Sequence, residues 1–193
     1  NMTLTTNLGF PRIGARRELK HALESHWRGD TPAADLQATA RELRARHWAL
    51  QRESGIDLPP SNDFSLYDQV LDTAFLFDAI PQRYRALADA DPLAGYFALA
   101  RGYQRDGIDL HALEMTKWFD TNYHYLVPEL HTGQRFALRG DKPLAEYRQA
   151  KALGIETRPV LLGPVSFLLL SKTTDGSQPL DLLDALLPVY VQL

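Results

Sequence analysis

Three clusters of side chains in this sequence have the types and spacing that suit ligand chemistry. Arg16, Arg17 and Lys20 open a helical period just after a Pro/Gly turn at residues 11–14. Positions three and four apart lie on one side of a helix, so these cations can gather there. Cations oppose the positive end of the helix dipole, and their presence asks for an anion, either a phosphate or a carboxylate. The plainer alternative is a solvated face balanced by Glu18 and Glu24. Lys117 follows Glu114 and precedes Trp118 and Phe119. A lysine at the C-terminal end of a parallel strand faces the mouth where α/β folds bind ligands. Its alternative is a lysine whose stem snorkels along a half-buried strand. The third cluster, Thr121, Asn122, Tyr123, His124 and Tyr125, mixes aromatic area with amide and imidazole polarity, as binding loops do and packed loops also do.

Other groups carry less. His124 and His131 have no further ligand at a helical spacing that closes a metal site, and the chain contains no cysteine, so no metal is expected here. Asp57, Asp63 and Asp68 cluster in sequence, and Asp63 reads most simply as a helix N-cap. Gly163 and Pro164 end a strand without the glycine spacing of a phosphate loop.

The elements that must position these groups alternate short apolar runs with helical periods, which predicts an α/β domain with a mainly parallel sheet. A strand is expected over residues 4–10 and a helix over 15–28, with Leu19, Leu23 and Trp27 on one face and Gly29 as its stop. Thr31 and Pro32 start the next helix, which carries Leu36, Leu43 and Leu50 and ends near Gly55. A brief strand is expected at 56–58. Another helix starts at Asp63 or Ser65 and stops by Pro81, and 82–109 is helical in part. Residues 116–119 predict a strand entering a loop at 120–125. A helix over 143–153 ends at Gly154, 158–162 predicts a buried strand, and 181–193 is apolar on a helical period. The final Val189, Tyr190, Val191 and Leu193 carry no stop signal, so a piece of a longer fold is expected. A (β/α)8 barrel takes about 250 residues, of which this chain could supply roughly half. The open strand edges of such a part would favour self-association.

Composition narrows the function classes. With 45% hydrophobic and 23% charged residues, the chain can bury a core as one domain. A net charge of -3 and a pI of about 6.1 do not favour nucleic acid. The longest apolar stretch, 159–170, is broken by Gly163 and Pro164, so no membrane span is expected. The lack of cysteine and of a signal-peptide layout fits a cytoplasmic protein.

Several motifs occur in order: Leu8-Gly-Phe-Pro-Arg-Ile-Gly14, Arg16-Arg-Glu-Leu-Lys20, Glu114-Met-Thr-Lys-Trp-Phe119, Asn122-Tyr-His-Tyr125, Val127-Pro-Glu129 and Arg158-Pro-Val-Leu-Leu-Gly-Pro-Val165. As an ordered set they resemble the N-terminal domain of the cobalamin-independent methionine synthase family, from about Leu8 to the end. Asp120 stands where the family pattern has Asn. The resemblance implies a partial (β/α)8 TIM barrel, the N-terminal portion of the family's metal-free barrel, with residues 1–193 as one part of it. It implies a methyltransferase of methionine biosynthesis that moves the N5-methyl of 5-methyltetrahydropteroyltri-L-glutamate to homocysteine. Its zinc, which holds the homocysteine sulfur as thiolate, belongs to a C-terminal barrel that this chain does not contain, so the chain alone is expected to be inactive. Arg17, Glu18, Leu19 and Lys20 match the family's folate-binding stretch, and Lys117 matches its folate-contacting lysine. Arg16, Asn122 and His124 are further candidates. Two rival readings remain: another (β/α)8 enzyme with an acid–base pair drawn from Asp63, Glu114 or Glu129, and a non-enzymatic polyanion-binding module.

Overall fold

A computed structural model describes residues 3–193. In chain order the elements are α1 (Glu18–Arg28), α2 (Ala33–Glu53), β1 (Pro60–Ser61), α3 (Gln69–Leu76), α4 (Gln82–Ala90), α5 (Pro92–Arg101), β2 (Tyr103–Arg105), β3 (Ile108–Leu110), β4 (Met115–Lys117), β5 (His124–Leu126), β6 (Glu129–Leu130), α6 (Lys142–Ala152), β7 (Arg158–Pro159), α7 (Pro164–Leu169), β8 (Lys172–Thr173), a 3-10 turn (Pro179–Leu182) and α8 (Leu183–Gln192). The fold is mixed α/β, and among the described residues the strands pair two by two rather than closing a barrel. Among the described residues no helix is long and apolar enough to cross a membrane. The contacts divide the chain into two compact units, residues 1–66 with 142–161, and 67–141 with 162–193.

In the first unit α1 packs on α2. Leu19 and Leu23 of α1 and Leu36, Ala40, Leu43 and Trp48 of α2 are buried. Each large apolar side chain removed from water contributes about 1.5–3 kcal/mol before entropy is counted. The Trp48 Nε1–H donates to the Pro60 carbonyl at 2.8 Å, tying α2 to β1. β1 pairs in parallel with β7, and Thr6 forms a single parallel bridge with Leu58. The strand expected over 4–10 is thus reduced to that bridge, with Leu4 and Leu8 exposed. The strand expected at 56–58 is likewise only a bridge position. The run 158–162 is not a buried strand: only Arg158 and Pro159 pair, both exposed. Leu50 also departs from its apolar stripe and is exposed.

A buried polar cluster fixes α6 in this unit. Glu146 lies 3.2 Å from the Lys142 ammonium and 3.7 Å from Arg44, and accepts from the Asn62 N–H at 3.1 Å. Lys142 also donates to the Asn62 side chain and the Phe64 carbonyl. Burial pushes the Arg44 guanidinium below its usual range, and the charge of Glu146 opposes that shift.

In the second unit α3 starts at Asp68, not at Asp63 or Ser65 as the sequence suggests. The region 82–109 resolves into α4, α5 and the antiparallel hairpin β2–β3. β6 and β8 pair in parallel. The core gathers Val70, Phe77, Tyr125, Leu130, Phe167, Leu186 and Val189, so the apolar run near the C-terminus serves as core through α8.

Candidate functional site

The first cationic group sits on a turn built by two left-handed residues. Gly14 has φ +87°, and a Cβ there would meet the Glu18 carboxylate at 2.2 Å, so the close approach needs glycine. The Arg17 N–H donates to the Gly14 carbonyl at 3.1 Å and the Leu19 N–H to the Ile13 carbonyl at 3.0 Å. Arg17 itself is the left-handed N-cap of α1, at φ 61°, and makes no side-chain cap. The helix therefore begins at Glu18 rather than Ala15, because residues 14–17 are committed to the turn. Arg16 lies outside the helix, so its expected one-turn spacing to Lys20 does not hold.

Glu18 organises this turn. One carboxylate oxygen accepts from the Arg16 N–H at 2.9 Å and the other from Arg46 at 2.6 Å. Hydrogen bonding to its own backbone N–H, then to Arg46 and to the Arg16 N–H, lowers its pKa to about 2. The anion that the positive helix end asks for is thus supplied within the chain. An added ligand would meet the side chains of Arg16, Arg17 and Lys20. Arg16 and Arg17 are exposed, and among the described residues neither is paired with a carboxylate. Lys20 is half exposed, 3.7 Å from Glu24. Leu19 is fully buried and anchors the helix. An open cleft of about 560 Å³ borders the turn, walled by Phe10, Pro11, Ile13, Ala15, Leu50 and Arg46.

Lys117 belongs to the second unit. It ends β4, opposite His124 in an antiparallel pair with β5. The sequence expects a parallel strand over 116–119 followed by a loop. Instead the strand stops at Lys117, and His124 and Tyr125 are strand residues. The Trp118 N–H donates to the Tyr123 carbonyl at 2.7 Å, which closes the connecting loop. Lys117 and Asn122 are exposed at this end of the hairpin, and Phe119 is 75% exposed at φ 51°. The His124 Nδ1 lies 2.9 Å from the Asn122 carbonyl and the His131 Nδ1 2.8 Å from the Thr132 carbonyl, so both rings serve local backbone.

The carboxylates of the rival acid–base reading have structural partners. Asp63 accepts from the Phe10 N–H at 2.9 Å, and burial raises its pKa. Asp63 is therefore not the helix cap. Glu114 pairs with Lys172 at 2.8 Å and Glu129 with Arg83 at 2.7 Å. Among the described residues no group of three or more His, Cys, Asp or Glu is placed to hold a metal ion. Of two organising residues, the sequence singles out Asp68 only as one of three clustered acids, without its capping role, and does not single out Glu146. Asp68 precedes an apolar helical run, which is a capping signal, and Glu146 stands four residues after Lys142, which is an ion-pair spacing.

Residues 4–193 match the family described as "Cobalamin-independent synthase, N-terminal domain". The chain is 83% identical over 192 residues to the 5-methyltetrahydropteroyltriglutamate–homocysteine methyltransferase of Xylella fastidiosa (strain 9a5c), an alignment that covers 100% of this chain and 25% of that protein. It is 60% identical over 196 residues to the protein of the same name from Acidiphilium cryptum (strain JF-5), with 100% of this chain and 25% of that protein covered. The namesake from Flavobacterium johnsoniae is 55% identical over 191 residues, covering 98% of this chain and 25% of that protein. The chain spans about a quarter of the length of these relatives. With nearly every residue inside the match, the chain belongs to the cobalamin-independent synthase family, as its N-terminal domain.

Proposed function

We propose that the chain is the part of a cytoplasmic homocysteine methyltransferase that holds the oligoglutamate tail of 5-methyltetrahydropteroyltri-L-glutamate. The observation that carries this reading is the turn before α1. It presents Arg16 and Arg17 exposed and without carboxylate partners, with Lys20 one turn on, beside an open and largely apolar cleft. A glutamate tail offers several carboxylates, and guanidinium groups bind carboxylates in a bidentate fork. The relatives' names carry a triglutamate substrate, which matches that chemistry. In this reading Arg17, Lys20 and Lys117 contact the tail, with Arg16, Asn122 and His124 as further contacts. Glu18 and Leu19 hold the turn in place.

The same proposal makes the chain the N-terminal portion of a (β/α)8 barrel, with the rest of that barrel and a C-terminal catalytic barrel supplied by sequence outside it. The parallel pairs β1–β7 and β6–β8 and the Thr6–Leu58 bridge support it. Zinc, which activates a homocysteine thiolate in this reading, belongs to the C-terminal barrel. Among the described residues no group of three or more His, Cys, Asp or Glu is placed to hold such an ion.

Lys20→Ala in a full-length enzyme carrying this domain tests the reading. A charge-assisted contact is worth about 1.5–3 kcal/mol, and half-exposure of Lys20 reduces that to roughly 1 kcal/mol. KM for the triglutamate substrate should rise about five-fold with kcat little changed, because a remote tail contact is felt alike in ground and transition states. Monoglutamate substrate should respond much less, and the loss should shrink with salt. Equal losses for both substrates would return Lys20 to a solvated helix position.

A further inference from the structure

We infer that Asp68 is a positioning residue for Lys117, acting through Tyr123; the inference rests on the tail-binding reading of Lys117. The Asp68 side chain is buried, and its carboxylate accepts four hydrogen bonds. Two cap α3, from the Val70 N–H at 3.3 Å and the Leu71 N–H at 2.9 Å. The other two come from the Lys117 hairpin: the Leu126 N–H of β5 at 3.1 Å and the Tyr123 hydroxyl at 2.8 Å. An ionised carboxylate offers about four acceptor sites, so all are used. Its backbone is held as well. The Tyr96 hydroxyl of α5 accepts from the Tyr67 and Asp68 N–H groups and donates to Asp72 at 2.6 Å. One carboxylate thereby ties a helix fixed from two sides to the strand and loop that present Lys117.

The link to Lys117 is short. Lys117 pairs with His124, and Tyr123 is the residue before His124. The Tyr123 carbonyl accepts the Trp118 N–H, so the same residue closes the loop with its backbone and anchors it with its hydroxyl. The loop holds an exposed Phe119 in a left-handed conformation, which a bulky residue keeps only where its surroundings impose it. Without the anchor the loop gains freedom, and the Lys117 ammonium must be ordered each time a ligand binds.

Tyr123→Phe in a full-length enzyme tests this, since it removes one hydroxyl and keeps the ring. KM for the triglutamate substrate should rise roughly two- to ten-fold, the worth of one hydrogen bond, with a smaller change in kcat and in monoglutamate KM. Hydrogen exchange should quicken across residues 117–124 and stay unchanged in α5. In a Lys117→Ala background the same substitution should add nothing to KM. If Lys117→Ala raises KM and Tyr123→Phe leaves KM and exchange unchanged, the positioning role is wrong and the tail reading stands. If Lys117→Ala has no effect on triglutamate KM, both fall together.

Discussion

Arg17 offers the sharpest separation of structure from function. It caps α1 in the left-handed region at φ 61°, ψ 31°, without a side-chain cap. For a residue with a Cβ that conformation costs roughly 1–2 kcal/mol, and asparagine tolerates it better than arginine does. Arg17→Asn should therefore stabilise the first unit by about 1 kcal/mol, the larger part of that strain. Among the described residues the exposed guanidinium makes no ion pair whose loss would offset the gain. Arg17→Lys keeps the charge and the strain, so its stability should match the parent. Denaturant midpoints at constant m-value measure the change, and triglutamate KM in a full-length enzyme measures the lost cation. If Arg17 holds the tail as proposed, the two move in opposite directions for asparagine: more stable, weaker tail binding. Strain at a functional residue behaves this way when function, not folding, selects the side chain. A less stable Arg17→Asn would show that the left-handed turn is not strained. A more stable variant with unchanged KM would remove Arg17 from the site.

Three further outcomes follow from the packing. Glu146→Ala removes the carboxylate paired with the buried Arg44 and should destabilise by about 3–5 kcal/mol in chemical denaturation, whereas Arg44→Met with Glu146→Leu should recover most of that loss. A loss below 1 kcal/mol for the single change would show that water reaches the cluster. Gly95→Ala places a Cβ 2.4 Å from the Ala88 Cα, so α4 and α5 must part. Overpacking of about 1–3 kcal/mol should outweigh the roughly 1 kcal/mol gain in helix propensity, and a raised melting temperature would contradict the close contact. Burial, aided by Arg46, holds the His47 imidazole below its ordinary value of 6.5, where it packs 4.8 Å from the Phe10 ring. A depressed folded pKa means the stability is fully present above 6.5 and is lost as pH falls through the lower folded value. Urea titrations between pH 7 and 5 should show that slope, and His47→Gln should flatten it; an unchanged slope would assign it to another group.

What could be read in advance follows how local each determinant is. Gly29 and Gly154 mark helix ends correctly, because a left-handed residue after the last turn is a short-range requirement that glycine meets, at φ 84° and 74°. The start of α3 could not be chosen the same way. Asp63, Ser65 and Asp68 all precede the same apolar run, and only the structure shows which side chain meets the first N–H groups of α3. The strand expected from the apolar run at 158–162 does not form in full because pairing, not hydrophobicity, makes a strand, and among the described residues β7 pairs with β1 alone, over two residues. The β4–β5 hairpin had a readable sign in the polar Asp120, Thr121 and Asn122 between two apolar stretches.

The candidate site divides along the same line. The cations were legible by type and spacing, and the resemblance singled out Arg17, Lys20 and Lys117 among them. Their presentation was not legible, because it depends on carboxylates whose partners are remote in sequence. Glu18 is held by Arg46, 28 residues away, and Asp68 by Tyr123 and Leu126, 55 and 58 residues away. Both acids look like charge balance or a cap when read locally. In the fold each consumes the hydrogen-bond donors of a helix start and fixes the segment next to a lysine or arginine. The anion preference of those helix starts is thereby satisfied inside the protein, and any external carboxylate is left to the flexible side chains. Recognition built in that way should depend on salt and on tail length more than on backbone contacts, which is what the Lys20 and Tyr123 experiments measure.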